Sequence, residues 1–199
     1  MSPRPRKVTD QQLFAAAQAA MSEVGPRELT LSAIATRAGV TAAVLVQRFG
    51  SKRALLLALF EETANGANEF MAALAKQHAS PLAALFAYAD CMSGMAASPA
   101  ALARNLAYLQ IDLTDPDFHK RLVKQARATR AGLRRLVEAA AKAGELSRNV
   151  KSAQLARTIE ATLSGAMLTW AFYQEGSAAK WIRTDLEAVL APYLRRRRR

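Results

Sequence analysis

Residues 31–49 read LSAIATRAGVTAAVLVQRF, and the fold turns on them. Apolar residues recur at helical spacing on both sides of Gly39: Leu31, Ile34, Ala35 and Ala38 before it, Val40, Val44 and Leu45 after it. Gly39 stands where a left-handed residue lets the backbone reverse sharply. Thr41 then opens the second helix as its N-cap. Ile34, Ala35, Val40, Val44 and Leu45 are assigned to packing between the two helices, and Ala35 and Ala38 are small enough for close approach. Thr41, Ala42, Ala43, Val46, Gln47 and Arg48 remain to face outward. Two short helices joined at such a turn make a helix-turn-helix, whose second helix enters a major groove.

Outward from this stretch the pattern stays helical. Thr9-Asp10-Gln11-Gln12 fits a capping box ahead of a helix that runs to about Val24, where Gly25-Pro26 stops it. Ser51 caps a long helix from Lys52 to about His78. Pro81, Pro99 and Pro116 divide the next part of the chain into helices at 81–97, 99–113 and 117–144, and two more are expected at 151–175 and 179–194. No alternating strand pattern persists, so the fold class is all-α. The expected organisation is a disordered basic arm at 1–8, a helix-turn-helix domain at 9–51, a larger helical domain at 52–194 and a basic tail at 195–199.

Composition narrows the function. Of 199 residues 51% are hydrophobic, which is enough for a core. The net charge of +12 is carried mostly at the ends: +5 in residues 1–60, +5 in the run Arg195–Arg199 and +2 between. Such placement suits a polyanionic partner at the N-terminal third, with a merely solvated surface as the other reading. The lone Cys91 is expected to be a buried, inert thiol. His78 and His119 have no partner at metal spacing, and there is no Gly-rich phosphate loop. Asp112, Asp115 and Asp117 read as a turn and a cap. The chain is therefore not read as an enzyme, and no cofactor or metal is expected. With no signal-peptide pattern and no membrane-length apolar run, a soluble cytoplasmic protein is expected.

The block Leu29-Thr30-Leu31-Ser32-Ala33-Ile34-Ala35, then Gly39-Val40-Thr41, then Phe49-Gly50-Ser51-Lys52-Arg53-Ala54-Leu55-Leu56 resembles the TetR family of transcriptional regulators. The likeness is specific over about residues 9–60 and rests beyond them on helix number, length and order. It implies phosphate contacts from Thr30, Thr41 and Lys52, and Arg37 is counted with this DNA-facing set. Helix N-termini at Thr30, Thr41 and Ser51 favour an anion in any case. One departure is Val46, where the family commonly has Tyr. Val46, Ala42 and Ala43 are left to meet thymine methyls, Gln47 to pair with adenine, and Arg48 with guanine or a phosphate; phosphate-only or solvated roles for Gln47 and Arg48 stay open. Arg4, Arg6 and Lys7 either enter the adjoining minor groove or tether non-specifically.

The resemblance also implies a homodimer that binds palindromic double-stranded operator DNA. A small, largely apolar effector of unknown identity would release it, and no membrane is involved. Candidate dimer residues are Leu155, Ile159, Leu163, Met167 and, on the last helix, Trp181, Leu186, Val189, Leu190 and Tyr193. An intramolecular core made from the same residues is the alternative. Candidate effector contacts are Phe70, Phe86, Tyr88, Met92, Met95, Arg104, Tyr108, Leu109, Met167 and Trp170, with Asp90 a second choice beside Arg104 for a polar group. Core packing is the competing explanation for each apolar one. The rival function is a basic protein that coats nucleic acid without specificity or inducer.

Overall fold

A computed structural model describes residues 8–195. Its elements run α1 (Asp10–Glu23), α2 (Leu31–Ala38), α3 (Ala42–Phe49), α4 (Lys52–Gln77), α5 (Pro81–Ser93), α6 (Pro99–Thr114), α7 (Pro116–Lys142), α8 (Ser152–Tyr173) and α9 (Ala178–Leu190). Short 3₁₀ turns come after α5 at Gly94–Ala96 and after α9 at Ala191–Tyr193. Among the described residues the only extended pairing is a single antiparallel bridge between Leu146 and Leu194. The fold is all-α, as the periodicity requires. The expected arm, apart from Val8, and the tail beyond Arg195 lie outside the described residues.

Local chemistry sets the helix ends. The Thr9 hydroxyl accepts from the Gln12 amide at 3.2 Å, and the Gln12 side chain accepts from the Thr9 amide at 2.9 Å, closing the capping box. Thr30 accepts from Ala33, Ser51 from Ala54 and Ser80 from Ala83. Gly39 adopts φ 67° at the end of α2, the left-handed conformation expected of it. Two helices stop earlier than the periodicity suggests. α5 gives way to a 3₁₀ turn at Gly94, and α9 does so just ahead of Pro192, whose ring cannot continue a helix.

The chain divides into two compact units, Met1–Thr63 with Ala103–Arg121, and Ala64–Leu102 with Leu122–Arg199. This partition differs from the expected boundary at residue 51, because α4 as far as Thr63, most of α6 and the first turns of α7 belong with the N-terminal helices. Tyr108 and Phe118 join Leu13, Ile34, Leu45, Leu55 and Leu59 in the core of the first unit. Arg104 Nε donates to the Ser22 carbonyl at 2.9 Å and the Tyr108 hydroxyl to that of Val24 at 3.2 Å. In the second unit, Met71, Leu85, Leu133, Ile159, Leu163 and Ile182 are among the buried side chains. α4 and α7 meet closely there: a Cβ at Gly132 would lie 2.5 Å from Met71 Cγ.

Candidate nucleic-acid interface

α3 has eight residues, and only Leu45 is fully buried. Ala42 and Phe49, three residues before and four after it, are partly buried against the same core. The opposite face is open, with Ala43 and Gln47 exposed, Val46 48% exposed and Val44 38% exposed. Two assignments therefore change. Val44, expected to pack inward, faces outward, and Ala42, expected outward, leans on the core. The inward positions of so short a helix are filled by the i, i+3, i+7 set Ala42, Leu45 and Phe49. An apolar side chain one residue away has no second face to cover.

Thr41 occupies the N-cap position of α3, but its side chain makes no capping hydrogen bond. The exposed hydroxyl at that helix N-terminus has no intrahelical partner, unlike that of Thr30. Lys52 is held from beneath: its Nζ donates to the Leu29 carbonyl at 2.7 Å and to that of Pro26 at 3.2 Å. An ammonium has three donors, so these two carbonyls leave one of them uncommitted. This tie between α4 and the α1–α2 loop was not visible in the sequence, because a lysine next to a helix start reads as a surface charge.

The arginines are also engaged. Arg37 pairs with Glu23 at the end of α1. Arg48 Nε pairs with Asp10 Oδ1 at 2.6 Å, and its Nη1 donates to the Val8 carbonyl at 2.6 Å. Arg53 Nη2 reaches both oxygens of Asp115 at 2.9 Å and Asp117 Oδ2 at 2.7 Å, with the guanidinium 5.6 Å from the Phe118 ring centre. The hydrogen bond from Arg53 holds the Asp115 carboxyl below its ordinary range. The aspartate cluster is thus a joint between α4 and the α6–α7 turn, beyond the turn and cap read from sequence.

The expected effector contacts do not gather in one place. Arg104, Tyr108 and Leu109 belong to the first unit, where Arg104 and Tyr108 are tied to the backbone at the end of α1. Burial pushes the Tyr108 phenol up to about 12. In the second unit Tyr88, Met167 and Trp170 are buried in one cluster, with Phe86 and Met92 packed against it. Burial likewise raises the Tyr88 phenol to about 12. Phe70 and Met95 are each 44% exposed. Asp90 pairs with Arg183 at 3.3 Å. Cys91, expected buried, is exposed. α5 turns Tyr88 and Ala89 to the core, and Cys91 falls on the other side.

Of the expected dimer residues, Leu155, Ile159, Leu163, Met167, Leu186 and Leu190 are buried within the chain's own core, which is the intramolecular alternative. Trp181, Val189 and Tyr193 are partly buried against it. The large apolar side chains that α8 leaves exposed are Leu168, at 38%, Phe172, at 78%, and Tyr173, at 64%, whose ring stacks on that of Trp181.

The profile described as bacterial regulatory proteins, tetR family, matches residues 13–59. That of the tetracyclin repressor-like C-terminal domain matches residues 105–186, so the two together take in well over half of the chain. The sequence has no match among curated proteins. A TetR transcription regulator from Haloarcula marismortui superposes with a TM-score of 0.70 at 17% identity, over 94% of this chain and 98% of that one. A TetR transcriptional regulator from Streptomyces coelicolor gives 0.68 at 23% identity, over 92% and 98%. FadR from Bacillus subtilis, solved in complex with stearoyl-CoA, gives 0.68 at 20% identity, over 92% and 98%.

Proposed function

The chain belongs to the TetR family of bacterial transcriptional regulators, and we propose that it acts as a homodimeric repressor released from palindromic operator DNA by a small, largely apolar effector. The observation that carries this reading is the outward face of α3. Ala43, Val44, Val46 and Gln47 are presented to solvent without charge, on a helix fixed by Leu45 beneath, by Ala42 and Phe49 against the same core and by Arg48 near its end. Neutral and apolar groups suit base edges and thymine methyls better than phosphates. A protein that merely coats nucleic acid has no need of such a face.

Dimerisation uses what the core leaves free. On α8 the stripe Ala161, Gly165, Leu168 and Phe172 has four-three-four spacing, the seam of a helix pair, with small residues at one end and large ones at the other. Two copies joined there would present their α3 helices to half-sites about 34–36 Å apart. The effector site is assigned to the second unit, around Tyr88, Met167 and Trp170, with Phe86 and Met92 at its margin. That FadR was solved with stearoyl-CoA supports an acyl chain as the first class of ligand to try.

The experiment is selection of duplexes from a randomised pool by the purified chain, with footprinting of the selected site. A two-fold symmetric site, preferred over competitor DNA by about a thousandfold or more, is the expected result. Binding that shows no sequence preference and vanishes with salt would leave the non-specific reading in its place.

A further inference from the structure

α7 carries a basic face that the reading of α3 does not use. Its Arg127, Arg130 and Arg134 follow at i, i+3 and i+7, and all three line a cavity of about 270 Å³ against Ala153 and Ala156 of α8. Further along the same two helices lies a cavity of about 420 Å³, walled by Lys142 at the end of α7, by Arg148 and Val150 of the connection, and by Glu138 and Ser152. The two cavities adjoin, because Arg134 of the first pairs with Glu138 of the second at 3.4 Å. Ala131, Ala141, Ala153 and Ala156 leave the room that longer side chains would fill.

The charges around this cleft do not balance. Among the described residues Glu138 is the sole carboxylate lining either cavity, and it is engaged: it accepts from the Ser152 hydroxyl at 3.1 Å besides pairing with Arg134. Arg130 is matched by Glu160 at 2.6 Å. Arg127, Lys142 and Arg148 are exposed, and none of them has a hydrogen-bond or ion-pair partner among the described residues. Lys142 is not needed to satisfy the end of α7, since the carbonyls of Ala139, Ala140 and Ala141 accept from backbone amides at 143–146. Arg148 stands on a turn closed by the Val150 amide on the Ser147 carbonyl at 3.2 Å. The Ser147 amide ties that turn to the Tyr193 carbonyl at 2.7 Å.

We infer that this cleft is a binding site for a small, multiply phosphorylated molecule, whose phosphate groups are taken by Arg127 at one end and by Lys142 with Arg148 at the other. Arginine meets a phosphate through two parallel hydrogen bonds, and lysine meets it as a point charge. A membrane surface would be met by cations spread over a flat or convex face. These cations stand on the walls of cavities, the larger of which has the volume of a small-molecule site. The cleft shares no lining residue with the effector site assigned around Tyr88, Met167 and Trp170, and it does not depend on the reading of α3.

The test is calorimetric titration of inorganic tripolyphosphate into the full chain, with chloride holding the ionic strength constant. Arg127→Ser with Arg148→Ser is expected to weaken binding about tenfold or more, as loss of charge-assisted hydrogen bonds does. Lys76→Ser with Lys180→Ser removes the same charge from exposed positions outside both cavities and should cost less than about twofold. Equal losses from the two pairs, or none from the first, would reduce the cleft to a solvated basic face and overturn the site. A second readout needs no substitution. Tripolyphosphate should protect Arg127 and Arg148 from modification by phenylglyoxal, read by mass spectrometry, while Arg157, exposed on α8 outside the cavities, stays reactive. Uniform protection, or none, would overturn the site even if the double variant fails to fold. Sedimentation with vesicles containing phosphatidic acid separates the two sources of phosphate. Binding to vesicles but not to tripolyphosphate would replace the small ligand by a lipid surface.

Discussion

Thr30 and Thr41 stand before consecutive helices and carry the same side chain, but only Thr30 uses its hydroxyl as a cap. Thr30→Val is therefore expected to cost about 1 kcal/mol in a thermal melt. Thr41→Val should leave the melt nearly unchanged while weakening binding to every duplex to a similar degree, as loss of a phosphate contact does. Gln47→Ala should instead change which duplexes are selected, and unchanged preference would remove Gln47 as a reader. Asp112 supplies a test by pH. It is half-buried, and burial pushes its carboxyl up to about 6. A raised value means the fold favours the protonated form. The contribution is complete below about pH 4 and is lost as pH rises through about 6. Asp112→Asn should raise the melting temperature relative to the unaltered chain at pH 7 and lose that advantage near pH 4. A difference that stays constant with pH would assign the effect to something other than this carboxyl.

Helices are held here by a few short-range fits whose sequence signals differ in strength. The turn between α2 and α3 is announced by Gly39, whose φ of 67° few other residues adopt without strain. The crossing of α4 and α7 is not announced: Gly132 sits inside a helix, where glycine lowers propensity, and only the packing explains it. A Cβ there would meet Met71 Cγ at 2.5 Å and Cβ at 2.7 Å. Gly132→Ala is thus expected to destabilise by about 1–3 kcal/mol in denaturant melts, despite its better helix propensity. A gain in stability would show that α4 and α7 can part at no cost. The α6–α7 turn is fixed differently, through Arg53 and the two carboxylates of Asp115 and Asp117. Segments far apart in sequence share that joint.

At the scale of the whole molecule, the second unit spends most of the apolar surface of α8 and α9 on its own core. The proposed partner copy would be left with the α8 stripe that ends in Leu168 and Phe172. Phe172→Glu is expected to shift the chain toward the monomer in sedimentation and to weaken operator binding steeply, since one half-site then acts alone. The melt should change little, because Phe172 is 78% exposed. A dimer that survives this substitution would move the interface elsewhere. Charge behaves as a property of the ends: the excess at the N-terminal arm and the arginine tail is visible in composition.

The sequence alone determined the helices, their order, the capping residues Thr9, Thr30 and Ser51, the turn at Gly39 and the family. These depend on residues within one or two turns of each other, so spacing and residue type suffice to read them. Tertiary structure decided which apolar faces are spent and which charges are engaged. It placed Leu163 inside and Phe172 outside, turned Val44 away from the core, put Tyr108 with the N-terminal helices, and bound Lys52, Arg48 and Arg53 to partners 23 to 64 residues away. A periodic pattern shows that a helix has an apolar face but not what covers it, and a charged side chain shows a sign but not a partner. Both are settled only when distant segments compete for the same surface.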